Sequence, residues 1–242
     1  MLSLILPAYN GSKYVRNSLS LIQQRFLEEG VLYEVVVIDD GSEDAHVTKQ
    51  ICEDAGALFY GLTKNQGKGA AVKAGVSRAK GDVIIFTDVD LPFGAEPVLS
   101  MYNTLKHEQS AVCIGDRNLP ESVYYSEIPK VRKAAGFAFS RFISLFILKG
   151  HYDTQCGLKG FKRNAAKSIF SRVSISGFAF DVEVLLIARR LNLHVLTIPV
   201  NFVSSQPGLS SALLQNAVNM LVDLITIKGN DLLKKYHKKH AS

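Results

Sequence analysis

The chain reads as an α/β protein with a mostly parallel central sheet and helices on both of its faces. Two observations predict this. Short apolar runs alternate with longer segments of helical spacing from Leu2 to Ile114. Three of the apolar runs then close on polar clusters, Pro7–Asn10, Asp39–Ser42 and Asp88–Asp90. In a parallel sheet those clusters share one rim, and ligands of open α/β sheets bind at the carboxyl ends of the strands.

The elements follow in order. Leu2–Leu6 is a short apolar strand punctuated by Pro7-Ala8-Tyr9-Asn10-Gly11. Val15, Leu19, Ile22 and Phe26 give Ser12–Glu28 a helical stripe. Glu34–Ile38 is a second strand, Glu43–Ala55 a helix and Leu58–Tyr60 a short strand. Glycine opens a helix over Gly67–Ala79, and Val83–Thr87 is the strand before the aspartates. Ala95–Lys106 reads as a helix and Ala111–Ile114 as a strand ahead of Gly115-Asp116-Arg117. Beyond it come a loop over Asn118–Ile128, a helix over Pro129–Leu148, and strands at Leu158–Lys162 and His194–Val200 around a helix at Phe180–Leu191. Leu209–Ile225 is an amphipathic helix, with Leu213, Leu214, Ala217, Val218, Leu221, Leu224 and Ile225 on one side.

Composition narrows the class. With 242 residues and 47% hydrophobic content, the chain can bury a substantial core. Its net charge of +6 is uneven, because residues 228–242 hold five lysines against one aspartate. The body is then nearly neutral, which argues against a nucleic-acid-binding face. Cys52, Cys113 and Cys156 are few and widely spaced, which suits a reducing compartment rather than a disulfide framework or a zinc site. No stretch reaches the ~20 apolar residues that span a bilayer. The expectation is a cytoplasmic, non-spanning protein.

The sharpest chemical signal is Phe86-Thr87-Asp88-Val89-Asp90, where a buried strand stops at two carboxylates. Such oxygens suit a hard divalent cation, which usually also holds phosphate oxygens. The segment Asn65–Gly75 places glycines ahead of a helix, where backbone amides can approach an anion. It is not a Walker A loop, since Gly69 stands where Ser or Thr would bind magnesium.

Together, Leu4–Asn10, Val37–Ser42, Asn65–Gly75 and Asp88-Val89-Asp90 resemble the family 2 glycosyltransferases, which have the GT-A nucleotide-sugar-binding fold. Gly115-Asp116-Arg117, Asp153–Lys159 and Phe178–Glu183 make the chain most similar to the dolichyl-phosphate glucose and mannose synthases, and Asp153-Thr154-Gln155-Cys156-Gly157 looks like the glucosyl branch, which uses UDP-glucose. The resemblance implies that Pro7, Ala8, Tyr9, Asn10, Asp39, Asp40, Lys68, Asp88 and Asp90 surround the nucleotide sugar, with Asp39 on the base. It implies that Asp88 and Asp90 serve a Mg²⁺ or Mn²⁺ ion, that Arg117 and Arg132 hold an acceptor phosphate, and that Gln155 and Asp181 line the reaction centre.

The implied reaction inverts the anomeric centre by direct displacement. A lipid phosphate acceptor arrives anionic and needs no strong base, whereas a hydroxyl acceptor requires one, for which Asp181 is the candidate. Asp181 can equally be the N-cap of the helix that follows. A saccharide-hydroxyl transferase and a silent nucleotide-sugar-binding protein stay open as alternatives. A polyprenyl phosphate acceptor requires a membrane surface, at its cytoplasmic face. The basic, apolar helix at Pro129–Leu148 and the region 206–242, outside a catalytic domain at 1–205, are the candidates for contact with it. A homo-oligomer or a separate membrane-anchoring partner also stays open. Against the family pattern, Gly11 stands where Glu is common, Pro92 where some relatives have a polar ligand, and Ser204–Ser211 where a basic loop is usual.

Overall fold

The computed structural model describes residues 1–123, 143, 147–148, 153–201 and 212–237, with side chains from 219 onward in the last stretch. The elements are β1 (Leu2–Ala8), α1 (Ser12–Glu28), β2 (Tyr33–Asp39), α2 (Ala45–Asp54), β3 (Leu58–Gly61), α3 (Lys68–Arg78), β4 (Val83–Phe86), α4 (Glu96–His107) and β5 (Val112–Asp116). They continue as β6 (Lys159–Lys162), α5 (Arg163–Phe170), α6 (Phe180–Arg190), β7 (Val195–Pro199) and α7 (Ala212–Leu232).

Seven strands form one sheet in the order β3-β2-β1-β4-β6-β5-β7. Every pairing is parallel except the two made by β6, which runs antiparallel between β4 and β5. The sheet is buried on both sides, so its strands are apolar throughout rather than alternating. Leu2, Leu4, Leu6, Val35, Val37 and Ile85 face the core shared with α1, α2 and α4. Ile5, Val36, Ile38, Ile84 and Phe86 face the core under α3, α5, α6 and α7. Each fully buried phenylalanine, such as Phe26 or Phe86, contributes about 2–3 kcal/mol by leaving water.

Two details of packing set up the strand ends. A Cβ at Gly75 would lie 2.4 Å from Ile5 Cγ2, so only glycine lets α3 sit this close to β1. β4 ends opposite Ile5 while β1 runs on to Ala8, so Thr87–Asp90 leave the sheet beside the end of β1. Because β6 is antiparallel, its first residue Lys159 lies level with Phe86 and Ile114, on the rim where the parallel strands finish. The segment before β6 is thereby brought onto that rim.

The helix α5 was not foreseen, although Ala165, Ala166, Ile169 and Phe170 bury one face of it. Helix α7 extends to Leu232, and of the described residues expected on its apolar side Leu224 enters the core, joined by Ile227, while Leu221 and Ile225 are more than half exposed. Apolar residues surround this helix, so spacing alone could not fix its rotation. Buried polar groups do so, with Asp231 held by Arg190 through two 2.6 Å hydrogen bonds and Asn230 donating to Ser174 Oγ. The helix expected over Pro129–Leu148 lies almost wholly outside the described residues, as does Arg132. No helix among the described residues is long and apolar enough to cross a membrane.

Candidate active site

The ends of β1 and β2 are laced together. The Asn10 amide donates to Ser42 Oγ at 2.9 Å, and the Glu43 amide donates to Asn10 Oδ1 at 3.1 Å. Asn10 holds φ 49° there, a left-handed conformation that asparagine tolerates. Ala8 is buried, and Tyr9 projects from the rim with 54% of its surface exposed. Asp39, at the end of β2, accepts the Ser42 amide on Oδ1 at 2.9 Å, while its buried Oδ2 has no protein partner. A buried carboxylate oxygen without a donor is costly, and a ligand or water donor resolves it. Asp40 commits its Oδ1 to the Gln66 amide and its Oδ2 to the Gly67 amide, each at 2.8 Å. It therefore clamps the loop that leads into α3.

The glycines of that loop serve close approach rather than an open anion cradle. A Cβ on Gly67, at φ 100°, would meet Ser176 O at 2.5 Å, and one on Gly69 would meet Ile175 O at 2.6 Å. The Gly69 and Ala70 amides already donate to Ser176 O at 2.7 and 3.3 Å. The first turn of α3 thus presents its side chain, Lys68, to the site. Lys68 Nζ lies 2.5 Å from Asp88 Oδ1. Burial works against its charge, but Asp88 and then Asp181 outweigh that and push the ammonium up to about 12.

Asp88 is held on its other side as well. A Cβ at Gly157 would fall 2.1 Å from Asp88 Oδ2, so the carboxylate lies directly on glycine backbone. Ser18 Oγ donates to Val89 O at 2.6 Å, which ties the turn to α1. Asp90 is half-buried, and burial followed by the neighbouring charge of Asp88 raises its carboxyl above the ordinary range. Asp90, raised in this way beside Asp88, completes an oxygen donor pair that a divalent cation would relieve. The residues present fit such an ion. No cluster of three or more metal-ligating side chains occurs among the described residues, so further ligands would come from a bound phosphate or water.

The remaining residues come from the second half of the chain. Arg117, just past β5, makes a forked pair with buried Asp153, with Nε to Oδ2 at 2.6 Å and Nη2 to Oδ1 at 2.7 Å. The fork expected to face an acceptor phosphate is thus oriented by a carboxylate. Gln155 is half-buried with its Nε2 unpartnered, and Thr154 Oγ1 beside it is also buried without a partner. Asp181 lies in the first turn of α6, whose N-cap is Ala179, so it is not the cap. Its Oδ1 accepts Lys159 Nζ at 2.6 Å. Glu183 points elsewhere: it accepts the Ser174 and Ile175 amides and the Tyr236 hydroxyl, and so fixes the loop whose Ser176 carbonyl closes on α3.

All three cysteines are buried and free, and burial pushes each thiol up to about 12, which removes them as nucleophiles. A cavity of about 790 Å³ lies at the opposite rim, lined by Asp82, Lys106, Lys162, Arg163, Arg172 and Leu193 among others. None of the residues above reaches it.

An α/β sheet whose strand ends carry an aspartate with an unpartnered oxygen, an Asp-x-Asp turn and a lysine paired with that turn is the arrangement that the resemblance to GT-A glycosyltransferases implies. The chain belongs to glycosyl transferase family 2, whose model matches residues 3–170. It is 31% identical to dolichyl-phosphate beta-glucosyltransferase ALG5D of Trichomonas vaginalis, over 93% of this chain and 72% of that protein. It is also 31% identical to the dolichyl-phosphate beta-glucosyltransferase of Homo sapiens, over 83% of this chain and 67% of that one. Among solved structures, glucosyl-3-phosphoglycerate synthase from Mycobacterium tuberculosis, in complex with Mn²⁺, UDP and its product, superposes with a TM-score of 0.71 at 18% identity, over 95% of this chain and 80% of that one. The fold is therefore GT-A, and the protein is a glycosyltransferase.

Sequence reasoning placed Asp153, Gly157 and Lys159 in a motif but gave none of them a role in the site. The available signal was a lysine between Leu158 and Gly160-Phe161, a charge inside an otherwise apolar strand.

Proposed function

We propose that the protein is a metal-dependent inverting glycosyltransferase that moves glucose from UDP-glucose to a polyprenyl phosphate. The observation that carries this reading is the charged knot at the end of β4, where Lys68 and the Gly157 backbone fix Asp88 beside Asp90. The dolichyl-phosphate beta-glucosyltransferase relatives support the donor and acceptor classes, and the fold neighbour was crystallised with Mn²⁺ and UDP.

In this reading Pro7, Ala8, Tyr9, Asn10 and Asp39 receive the nucleoside, with the unpartnered Asp39 Oδ2 accepting from the base. Asp40 holds the loop that completes the pocket. Asp90, with Asp88, would hold a Mg²⁺ or Mn²⁺ ion that offsets charge on the departing diphosphate. Lys68 supplies a second positive charge there. Gln155 donates to the sugar, and Arg117, oriented by Asp153, is assigned to the acceptor phosphate, with Arg132 the second arginine that the family resemblance assigns to it. An anionic phosphate oxygen attacks the anomeric carbon as the bond to the diphosphate breaks. The protein contributes alignment and fixed charge.

The region from 206 onward is the proposed membrane contact, on the cytoplasmic side. Leu221, Val222, Ile225, Leu232 and Leu233 are more than half exposed beside Lys228, Lys234 and Lys235, which suits an anionic bilayer surface.

Purified protein would be mixed with UDP-glucose, GDP-mannose or UDP-N-acetylglucosamine and Mn²⁺, with and without polyprenyl phosphate in anionic vesicles. Lipid-dependent UDP release with a glucosylated phospholipid in the mass spectrum is the expected result. Turnover on a saccharide alone, or with GDP-mannose alone, would overturn the assignment.

A further inference from the structure

Lys159 is fully buried, with none of its surface exposed. A lysine in that position must have its charge and its donors satisfied. Its Nζ donates to Asp181 Oδ1 at 2.6 Å, to Cys156 O at 2.7 Å and to Thr154 O at 3.0 Å, and lies 5.7 Å from the centre of the Phe86 ring. One ammonium thereby joins three parts of the site: the first turn of α6, the turn that carries Gln155 and Gly157, and the end of β4.

Charged groups on β6, α3 and α6 lie around Asp181. From β6 comes Lys159, in contact. From α3 comes Lys68, whose ammonium is held up in part by Asp181 and which itself pairs with Asp88. On α6 itself, Glu183 is engaged by Ser174, Ile175 and Tyr236. The buried Cys156 thiol stays neutral at ordinary pH. Asp88, Lys68, Asp181 and Lys159 therefore alternate in sign. Removing the Asp181 carboxylate would leave the Lys159 ammonium in the interior without its counter-charge.

Resting on the reading above, we infer that Lys159 is a positioning residue for the transfer: it makes Asp181 a fixed anion rather than a general base, so the acceptor is of a class that arrives already ionised, such as a phosphate. The same contact holds the 154–157 turn against Asp88. A hydroxyl acceptor would need a carboxylate able to take its proton, and the structure binds this one to an ammonium instead.

The test compares Lys159→Met, Asp181→Asn and the double variant with the wild type. Turnover with UDP-glucose and polyprenyl phosphate is measured together with KM for the donor and UDP affinity. Asp181→Asn is expected to lower kcat about tenfold, short of the roughly 10²–10⁴-fold that loss of a general base costs. Lys159→Met should lower kcat by a similar factor with donor KM and UDP affinity within about threefold of wild type, and the double variant should lose no more than about threefold beyond Asp181→Asn. If Lys159→Met does not fold, the neutral double variant carries the comparison, because it leaves no unpaired buried charge.

A loss of 10³-fold or more in Asp181→Asn with UDP affinity kept would make Asp181 the base and overturn the inference. So would wild-type kcat in Lys159→Met, or single losses that multiply in the double variant. If the wild type ignores the lipid, the proposed function fails by itself. The same four proteins are then read on the acceptor that does turn over, or on slow hydrolysis of UDP-glucose.

Discussion

At the carboxyl rim of the sheet, Lys68, Asp88, Asp181 and Lys159 pair with one another, and Lys159 and Asp181 do so out of solvent. At the amino rim the ion pairs lie in solvent, with the Met1 amino group and Arg163 sharing a largely exposed Asp82, while Lys162 donates to Glu108 O and Arg172 to Ser168 O. The amino rim has the roomy cavity, of about 790 Å³. The carboxyl rim has the orphaned polar atoms, Asp39 Oδ2, Thr154 Oγ1 and Gln155 Nε2. Volume alone would direct attention to the amino rim. Buried charge that is mutually oriented, together with polar atoms left without partners, marks where a ligand is expected.

The largest break in this contrast should come from Asp90→Asn, which removes a charge from the oxygen pair. Transfer is expected to fall about 10³-fold in kcat/KM, with the thermal midpoint kept. Gly157→Ala comes next. Its methyl would sit on Asp88 and force the carboxylate off Lys68, and kcat should fall about 100-fold although no polar group is deleted. Circular dichroism on the same sample checks that the fold survives.

Asp40→Ala removes two charge-assisted hydrogen bonds to the 66–67 loop. Chemical denaturation should show a loss of about 2–3 kcal/mol, and UDP should bind several-fold more weakly. A smaller effect is expected at the distant clasp of α7. Arg190 holds the Asp231 carboxyl below its ordinary value, so the pair stabilises above the unfolded carboxylate range and the gain is lost as pH falls through the lower folded value. Asp231→Asn should cost about 1 kcal/mol at neutral pH, since Arg190 is partly solvated, and the gap to wild type should close in strong acid. Lys106→Ala, at the amino rim, should leave both transfer and UDP affinity within about twofold, which would sharpen the contrast.

The two rims also differ in how far sequence reveals them. Strands β1, β2 and β4 are local apolar runs that end in Asp or Pro-Ala-Tyr-Asn, so their side of the site, with Asp39, Asp88 and Asp90, is legible from pattern. The other side depends on β6, which lies more than forty residues beyond β5 in sequence yet inserts between β4 and β5 in reverse. No local signal announces that pairing, and only that pairing turns Lys159 from an outward strand charge into the buried partner of Asp181. Gly157 was read as part of a motif, and its physical role appears only when Asp88 is seen against it. The apolar side expected for α7 is buried at Leu224 but not at Leu221 and Ile225 for a related reason: Arg190 and Ser174, from other elements, hold Asp231 and Asn230 inward.

The central claim is that the donor binds at the carboxyl rim. Isothermal titration of UDP in the presence of Mn²⁺ tests it most directly, on wild type, Asp90→Asn and Lys106→Ala side by side. Binding by the wild type and by Lys106→Ala, with affinity reduced at least tenfold in Asp90→Asn, is the predicted result. Full affinity in Asp90→Asn, or a loss confined to Lys106→Ala, would place the nucleotide at the other end of the sheet and contradict the account.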